Sequence, residues 1–193
     1  MDYQTIISKH TITFSKDIFD IFWNEVWREW AGEYEKDFPH YGEITLSHYH
    51  AFAFAIDHEV KPGPETPESR VICFFGISNN DIDTKNRGRM RDYWPMTDIS
   101  ELLGKPYDRG HFMAHGFGGP IDVNIFPQRR DINRPWSAEG KRYCAMERYV
   151  RNNPGTFVFS RPIYKDLTAC PHELEYGYFD QNFQLITEIF PNR

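Results

Sequence analysis

The sequence predicts an α+β domain: an antiparallel β-sheet with flanking helices. Three observations lead there. A long run near the N terminus repeats large apolar residues at helical spacing. Short strand-like runs separated by turn residues occur both before and after the middle of the chain. Between them lies an irregular basic segment rich in glycine and histidine, followed by a second amphipathic helix. A chain of 193 residues suits one domain, since it buries enough apolar surface to need no staples. Within 1–193, residues 1–80 supply a scaffold of helix and strands, 105–151 a central unit, and 156–193 C-terminal strands.

The elements follow in order. Ile18, Phe19, Phe22, Trp23, Val26, Trp27 and Trp30 recur at i, i+3 and i+4, so a helix over 16–35 buries that stripe, with Ser15 as its N-cap. Residues 43–56 and 70–78 read as strands. "KPGPETPE" between them holds three prolines and a glycine and reads as a loop. His48 and His50 fall on one face of the first strand by its period of two. With His58 they read as surface or edge residues, because no third ligand stands at a metal-site spacing. Ser137 caps a helix over 137–150, and Pro135 prevents that helix from running back to Asn133. Residues 156–164 read as a strand, and "ELEYGYFDQNFQLITEIF" as a hairpin turning near Asp180, Gln181 and Asn182.

Composition narrows the function classes. No run of 18 apolar residues occurs, so no transmembrane helix and no membrane partner are expected. The start "MDYQTIISKHTITF" has an acid at position 2 and no apolar core, so no secretory leader is expected and the protein is made in the cytoplasm. Cys73, Cys144 and Cys170 stand far apart, an odd number without a CxxC pair, and read as reduced thiols. The net charge of −6 is unevenly spread. Residues 1–60 carry 4 basic and 11 acidic side chains, whereas 105–151 carry 9 basic and 5 acidic. "KNRGRMR" (85–91) adds four more positive charges. A local positive field governs phosphate binding more than the total does.

The segment "YDRGHFMAHGFGGPIDVNIFPQRRDIN" (107–133) concentrates the chemistry. His111 is the natural general base, because an unperturbed imidazole titrates near neutrality. Asp108 is close by, although strand alternation sets it off the face of His111. Gly110 permits a close backbone approach. Arg109 offers a planar donor fork suited to phosphate. "GFGGP" turns the chain between two extended pieces, which brings the first strand opposite Asn133 at the entry to the helix. A carboxamide oxygen is a hard neutral ligand, and Mg²⁺ takes such oxygens while keeping most of its waters. Asn133 can therefore hold a hydrated Mg²⁺ beside a substrate phosphate, with Mn²⁺ an expected substitute.

These residues resemble the signature of the DNA/RNA non-specific endonucleases, the ββα-metal-finger nucleases related to secreted bacterial nucleases and mitochondrial endonuclease G. The family pattern is Asp-Arg-Gly-His, then Asn-x-x-Pro-Gln, then an Asn before a helix bearing a Glu. The chain supplies Asp108, Arg109, Gly110 and His111, then Asn124, Pro127 and Gln128, then Asn133. The match is strong over 107–133, weaker through about 164, and slight over 1–80. The resemblance implies a ββα-metal finger at 105–151, with His111 as base and Asn133 as metal ligand. It implies that Asn124 and Gln128 brace the finger, Asn124 being carried among the catalytic set. It also implies Mg²⁺-dependent hydrolysis of DNA and RNA phosphodiesters with little sequence preference, leaving 5′-phosphate ends.

The helix glutamate departs from the family spacing. Glu139 and Glu147 stand 6 and 14 residues after Asn133. Glu147 lies on the stripe of Tyr143, Met146 and Val150 and needs a partner there, which makes it the better catalytic candidate. Arg87, Arg129, Arg130, Arg134 and Arg142 are phosphate-contact candidates. His115 stands about 13 Å from His111 along an extended chain, too far to share a metal. The alternative reading is a catalytically silent module that binds nucleic acid or a protein on the same fold. A non-specific nuclease would harm its own cell, which suggests a bacterial toxin exported by a route independent of a leader and restrained by an immunity protein.

Overall fold

Residues 1–39, 42–59, 69–79, 104, 106–120 and 123–193 are described by a computed structural model. The proline-rich loop, the "KNRGRMR" cluster and Arg87 lie outside these residues.

The N-terminal stripe folds as helix, but not as one regular helix. A short α1 (Tyr3–Ile7), capped by Asp2, precedes it. Then come α2 (Ser15–Ile21), a π-helical turn (Phe22–Val26) and α3 (Trp27–Asp37). The buried positions Ile18, Phe22, Val26, Trp30 and Tyr34 step by four. On a regular helix such steps drift by about 160° over that span. The wide turn takes up part of this drift, because it inserts an extra residue. Phe19, Trp23 and Trp27 are only half-buried and flank this inner row. Ser15 is not the cap expected of it. Phe14 takes the N-cap place, and the Asp17 carboxylate accepts from the amides of Thr13 and Phe14 at 2.8 and 2.9 Å. The Ser15 hydroxyl instead donates to the carbonyl of Gly155 at 2.5 Å, tying the helix start to a distant turn.

Six strands form an antiparallel sheet in the order β1-β2-β3-β6-β7-β8. They are β1 (Gly42–Tyr49), β2 (Phe52–Glu59), β3 (Arg70–Ile77), β6 (Phe157–Ile163), β7 (Glu173–Phe179) and β8 (Leu185–Pro191). The single strand expected over 43–56 is in fact a hairpin. Tyr49 pairs with Phe52 across a two-residue turn, with His50 in the left-handed region at φ 53°. Histidine tolerates that region better than most residues, so the turn forms without the Asn-Gly signal that usually marks it. His50 therefore leaves the strand face it was expected to share with His48. Between β7 and β8 the Asp180 carboxylate accepts from the amides of Asn182 and Gln184, both at 2.8 Å, and closes the expected turn.

Alternation along the sheet makes two cores. Ala53, Ala55, Cys73, Phe75, Phe157 and Phe159 face α1–α3, around Phe22 and Trp30. Phe52, Phe74, Val158 and Tyr176 face the other way. On that side lie a separate two-stranded sheet and the second long helix, which bury Phe112, Phe126, Tyr143, Met146 and Val150 against it. Burial on both faces is the main stabilising term. Cys73 and Cys170 are buried, Cys144 is half-buried, and all three are free thiols. Among the described residues no helix is long and apolar enough to cross a membrane.

Candidate functional site

The two-stranded sheet carries the signature residues. β4 (Tyr107–His111) pairs antiparallel with β5 (Ile125–Arg129), with Asp108 opposite Gln128 and Gly110 opposite Phe126. The chain then enters a short α4 (Arg130–Asn133) and, after Ser137 caps it through the amide of Gly140 at 3.0 Å, the long α5 (Ala138–Asn152). Gly110 is required by contact: a Cβ there would stand 2.4 Å from Cβ and Oε1 of Gln128, whose buried side chain lies across it.

The loop between β4 and β5 is held by one amide. Asn124 is fully buried. Its Oδ1 accepts from the amide of Met113, and its Nδ2 donates to the carbonyls of Met113 and Pro120, each at 2.7 Å. Its own carbonyl accepts from the amide of Phe112 at 2.9 Å. The side-chain amide and the main-chain carbonyl of Asn124 thus both serve the turn that follows His111. Gly118 closes a 3₁₀ turn at φ 96°, a conformation that favours glycine. His115 in that turn is buried, with Nδ1 3.4 Å from the carbonyl of Gly119.

A second amide, Asn192 near the C terminus, clamps the hairpin from outside. Its Oδ1 accepts from the amide of Arg129 at 2.9 Å. Its Nδ2 donates to the carbonyls of Pro127 and Pro171 at 2.9 and 2.8 Å, and its own carbonyl accepts from the Tyr107 hydroxyl at 2.9 Å. Sequence reading missed Asn192, and its only signal is a buried-type amide at the end of an apolar strand.

Asp108 gathers a cationic cluster at the start of β4. It accepts from Arg130 Nε at 3.0 Å, from Arg134 at 2.5 and 3.1 Å, and from Asn133 Nδ2 at 3.4 Å. Burial alone would raise its pKa, but the hydrogen bonds from Arg134, Arg130 and Asn133 outweigh that and hold the carboxyl below its ordinary value. Two guanidinium groups face one carboxylate, which leaves the cluster positive. An ionised carboxylate only accepts, so Asn133 must turn its NH₂ toward Asp108. Its Oδ1 then points away, on an exposed residue. A carboxamide oxygen so placed can serve as one oxygen donor to a cation. Among the described residues no group of three or more His, Cys, Asp or Glu side chains is arranged to hold a metal.

Arg129 and Arg142 also have carboxylate partners. Arg129 forms a bidentate pair with Asp131 at 2.8 and 2.6 Å. Arg142 binds Glu188 at 2.7 Å and lies 3.9 Å from Glu139. Phosphate contact by either competes with these pairs. Arg109 lies half-buried on β4 opposite Pro127.

At the far end of β4, His111 meets α5 through its main chain. The Tyr143 hydroxyl donates to the His111 carbonyl at 3.3 Å. One turn on, Glu147 is half-buried. Burial pushes its carboxyl up to about 7, against the lowering effect of Arg151 and of a hydrogen bond from Tyr143. Of the two helix carboxylates, Glu147 is the one that shares Tyr143 with the His111 main chain, while Glu139 sits beside Arg142. Strand alternation keeps Asp108 and His111 on opposite sides of β4. Their main-chain positions are roughly 10 Å apart along the strand.

The raised carboxyl carries a sign. The folded value of about 7 exceeds the ordinary 4.5, so the two states agree when both are protonated. As pH rises from 4.5 the unfolded chain releases its proton first, and stability falls until about pH 7. The full shift is worth about 3 kcal/mol, reduced to about 2 for a half-buried group reached by solvent. Glu147→Gln is therefore expected to be more stable than the parent by about 2 kcal/mol at pH 8 and equal to it at pH 4. Urea unfolding at the two pH values checks this, and a pH-independent difference would contradict the burial of this carboxyl.

No protein-family model matches the chain, and no curated protein does. Among solved structures, Sda1 nuclease with bound zinc ion is similar at 13% identity and a TM-score of 0.42, over 81% of this chain and 86% of that one.

Proposed function

We propose that the chain is a metal-dependent, sugar-nonspecific endonuclease that hydrolyses the phosphodiester bonds of DNA and RNA. The observation that carries this reading is the orientation of Asn133. Asp108 binds its NH₂ end, so the carboxamide oxygen faces outward on the same hairpin and helix unit that bears His111. The ordered set Asp108, Arg109, Gly110, His111, Asn124, Gln128 and Asn133 supports it in the sequence. Gly110 and Gln128 lie in contact, and Asn124 fixes the turn after His111.

In this reading neutral His111 takes a proton from the attacking water. Arg109, on the side of β4 that His111 shares, orients the phosphate, and the positive Arg130–Arg134 pair draws the nucleic-acid backbone to the unit. Asn133 would hold Mg²⁺, or Mn²⁺ in its place, and the cation would supply charge neutralisation at the leaving oxygen. Glu147, half-buried behind His111, serves the same unit through Tyr143. Binding alone would need neither the imidazole nor the oriented carboxamide.

Digestion of plasmid DNA and of RNA by the purified protein, with and without chelator, tests the activity. Asn133→Ala is expected to raise the Mg²⁺ concentration for half-maximal cleavage by about tenfold or more. An unchanged Mg²⁺ titration in that variant removes Asn133 from the site.

A further inference from the structure

The hydroxyl of Tyr143 stands between two acceptors. One is the His111 carbonyl, 3.3 Å away. The other is the Glu147 carboxyl one turn on, which receives a hydrogen bond from Tyr143. A tyrosine hydroxyl has one proton to donate. It cannot satisfy both acceptors at once, and 3.3 Å is long for an O–H···O hydrogen bond, as expected of a donor that two acceptors share.

The surroundings hold the ring still while leaving the proton free to choose. Tyr143 is buried, and its ring packs edge-on against Tyr176 and Phe190, both at 5.2 Å between centroids. Gly140, one turn earlier, lets α5 sit against α4, where a Cβ would come 2.3 Å from the carbonyl of Asp131. Two further buried polar groups adjoin it: Gln128, whose side chain hydrogen-bonds to the Tyr143 hydroxyl, and the Tyr176 hydroxyl, which has no hydrogen-bond partner among the described residues. The space behind His111 is therefore a polar nest in an apolar core, not a packed hydrophobic contact.

We propose that Tyr143 is a positioning residue that couples the ionisation of Glu147 to the main chain of His111, an inference that rests on the nuclease reading only for its catalytic consequence. With Glu147 protonated, the acid donates to the tyrosine oxygen and Tyr143 donates to the His111 carbonyl. The chain of donors then runs one way and clamps the end of β4. When Glu147 loses its proton, the hydroxyl turns to the carboxylate, because a charge-assisted hydrogen bond is the stronger one. The His111 carbonyl is released. The groups that act on the carboxyl are Arg151 and Tyr143 on its own helix and Tyr176 on β7. Arg130 and Asp131 on α4 hold ion pairs of their own.

The peptide bond after His111 makes the coupling measurable without substrate or metal. The amide of Phe112 belongs to the same peptide group as the His111 carbonyl. Its ¹⁵N shift reports on what that carbonyl accepts. In the parent protein the Phe112 titration is expected to contain a component with the same midpoint as the Glu147 side-chain carboxyl ¹³C signal. In Tyr143→Phe, which keeps the ring contacts, Glu147 still titrates but that component is absent from Phe112. In Glu147→Gln it is absent as well. Whatever else titrates near Phe112 is common to the parent and Tyr143→Phe, so the difference between them isolates the tyrosine path. Identical Phe112 curves in the parent and Tyr143→Phe overturn the proposal. With nucleic acid, Tyr143→Phe is expected to lower kcat about tenfold on the acid side of the Glu147 midpoint at unchanged KM. Absence of cleavage by the parent protein overturns the nuclease reading, and the Phe112 titration still decides on Tyr143.

Discussion

Replacing His111 by alanine is expected to lower the rate of phosphodiester cleavage by roughly 10²–10⁴-fold, the usual contribution of a positioned general base. The side chain is half-buried at the end of β4. Its main chain is fixed from two directions, by Tyr143 at its carbonyl and by Asn124 at the next amide. Alanine keeps both of those bonds, so the loss should fall on the chemical step and not on folding. Initial rates of plasmid nicking by the variant and the parent, at saturating Mg²⁺ and equal folded concentration, give the ratio. Full activity in the variant would end the assignment of His111.

Asn124→Ala is expected to act in the opposite way, through stability. The side chain makes three hydrogen bonds of 2.7 Å to backbone groups of the turn. Removing it leaves the amide of Met113 and two carbonyls without their partner in a buried place. Each unsatisfied group costs about 1–3 kcal/mol, so a total loss of about 3–5 kcal/mol follows. For a chain of this size that lowers the melting temperature by roughly 8–15 °C. Scanning calorimetry reads it directly. A loss under 1 kcal/mol would mean that the turn is held by something other than this amide. Activity should fall together with the folded population. That pattern separates a residue that holds the loop from one that meets the substrate.

The sequence pattern carried the parts of this molecule that depend on neighbours in the chain. The stripe from Ile18 to Trp30 marked a helix because helical spacing is local. Ser137 marked the start of α5 because a cap acts three residues away. Features that depend on distant partners were not legible. Asn192 clamps Pro127 from 65 positions away, and nothing in its own neighbourhood announces it. Arg142 reads as a spare cation until Glu188, 46 positions later, is found beside it. The basic count over 105–151 likewise said nothing of how Asp108 and Asp131 would engage three of those arginines. The hairpin at His50 was missed for a different reason: the turn uses a left-handed histidine in place of a residue that advertises a turn. Ser15 looked like a cap, but its hydroxyl found a carbonyl 140 positions away while Asp17 served the helix start. The coupling between Asp108 and Asn133 was also hidden, because it joins the first residues of a strand to the last residue of a four-residue helix.

The wide turn at Phe22–Val26 constrains the chain by length more than by chemistry. Asn24 and Glu25 within it are exposed, so many side chains should be accepted there. Loss of any one residue is another matter. The helix would close into a regular spiral, and everything beyond would swing by roughly 100°. Trp30 would then lose its grip on the Tyr3 hydroxyl and Tyr34 its grip on Asp57. In the N-terminal helix a gap, not a replacement, is the change that the fold cannot absorb.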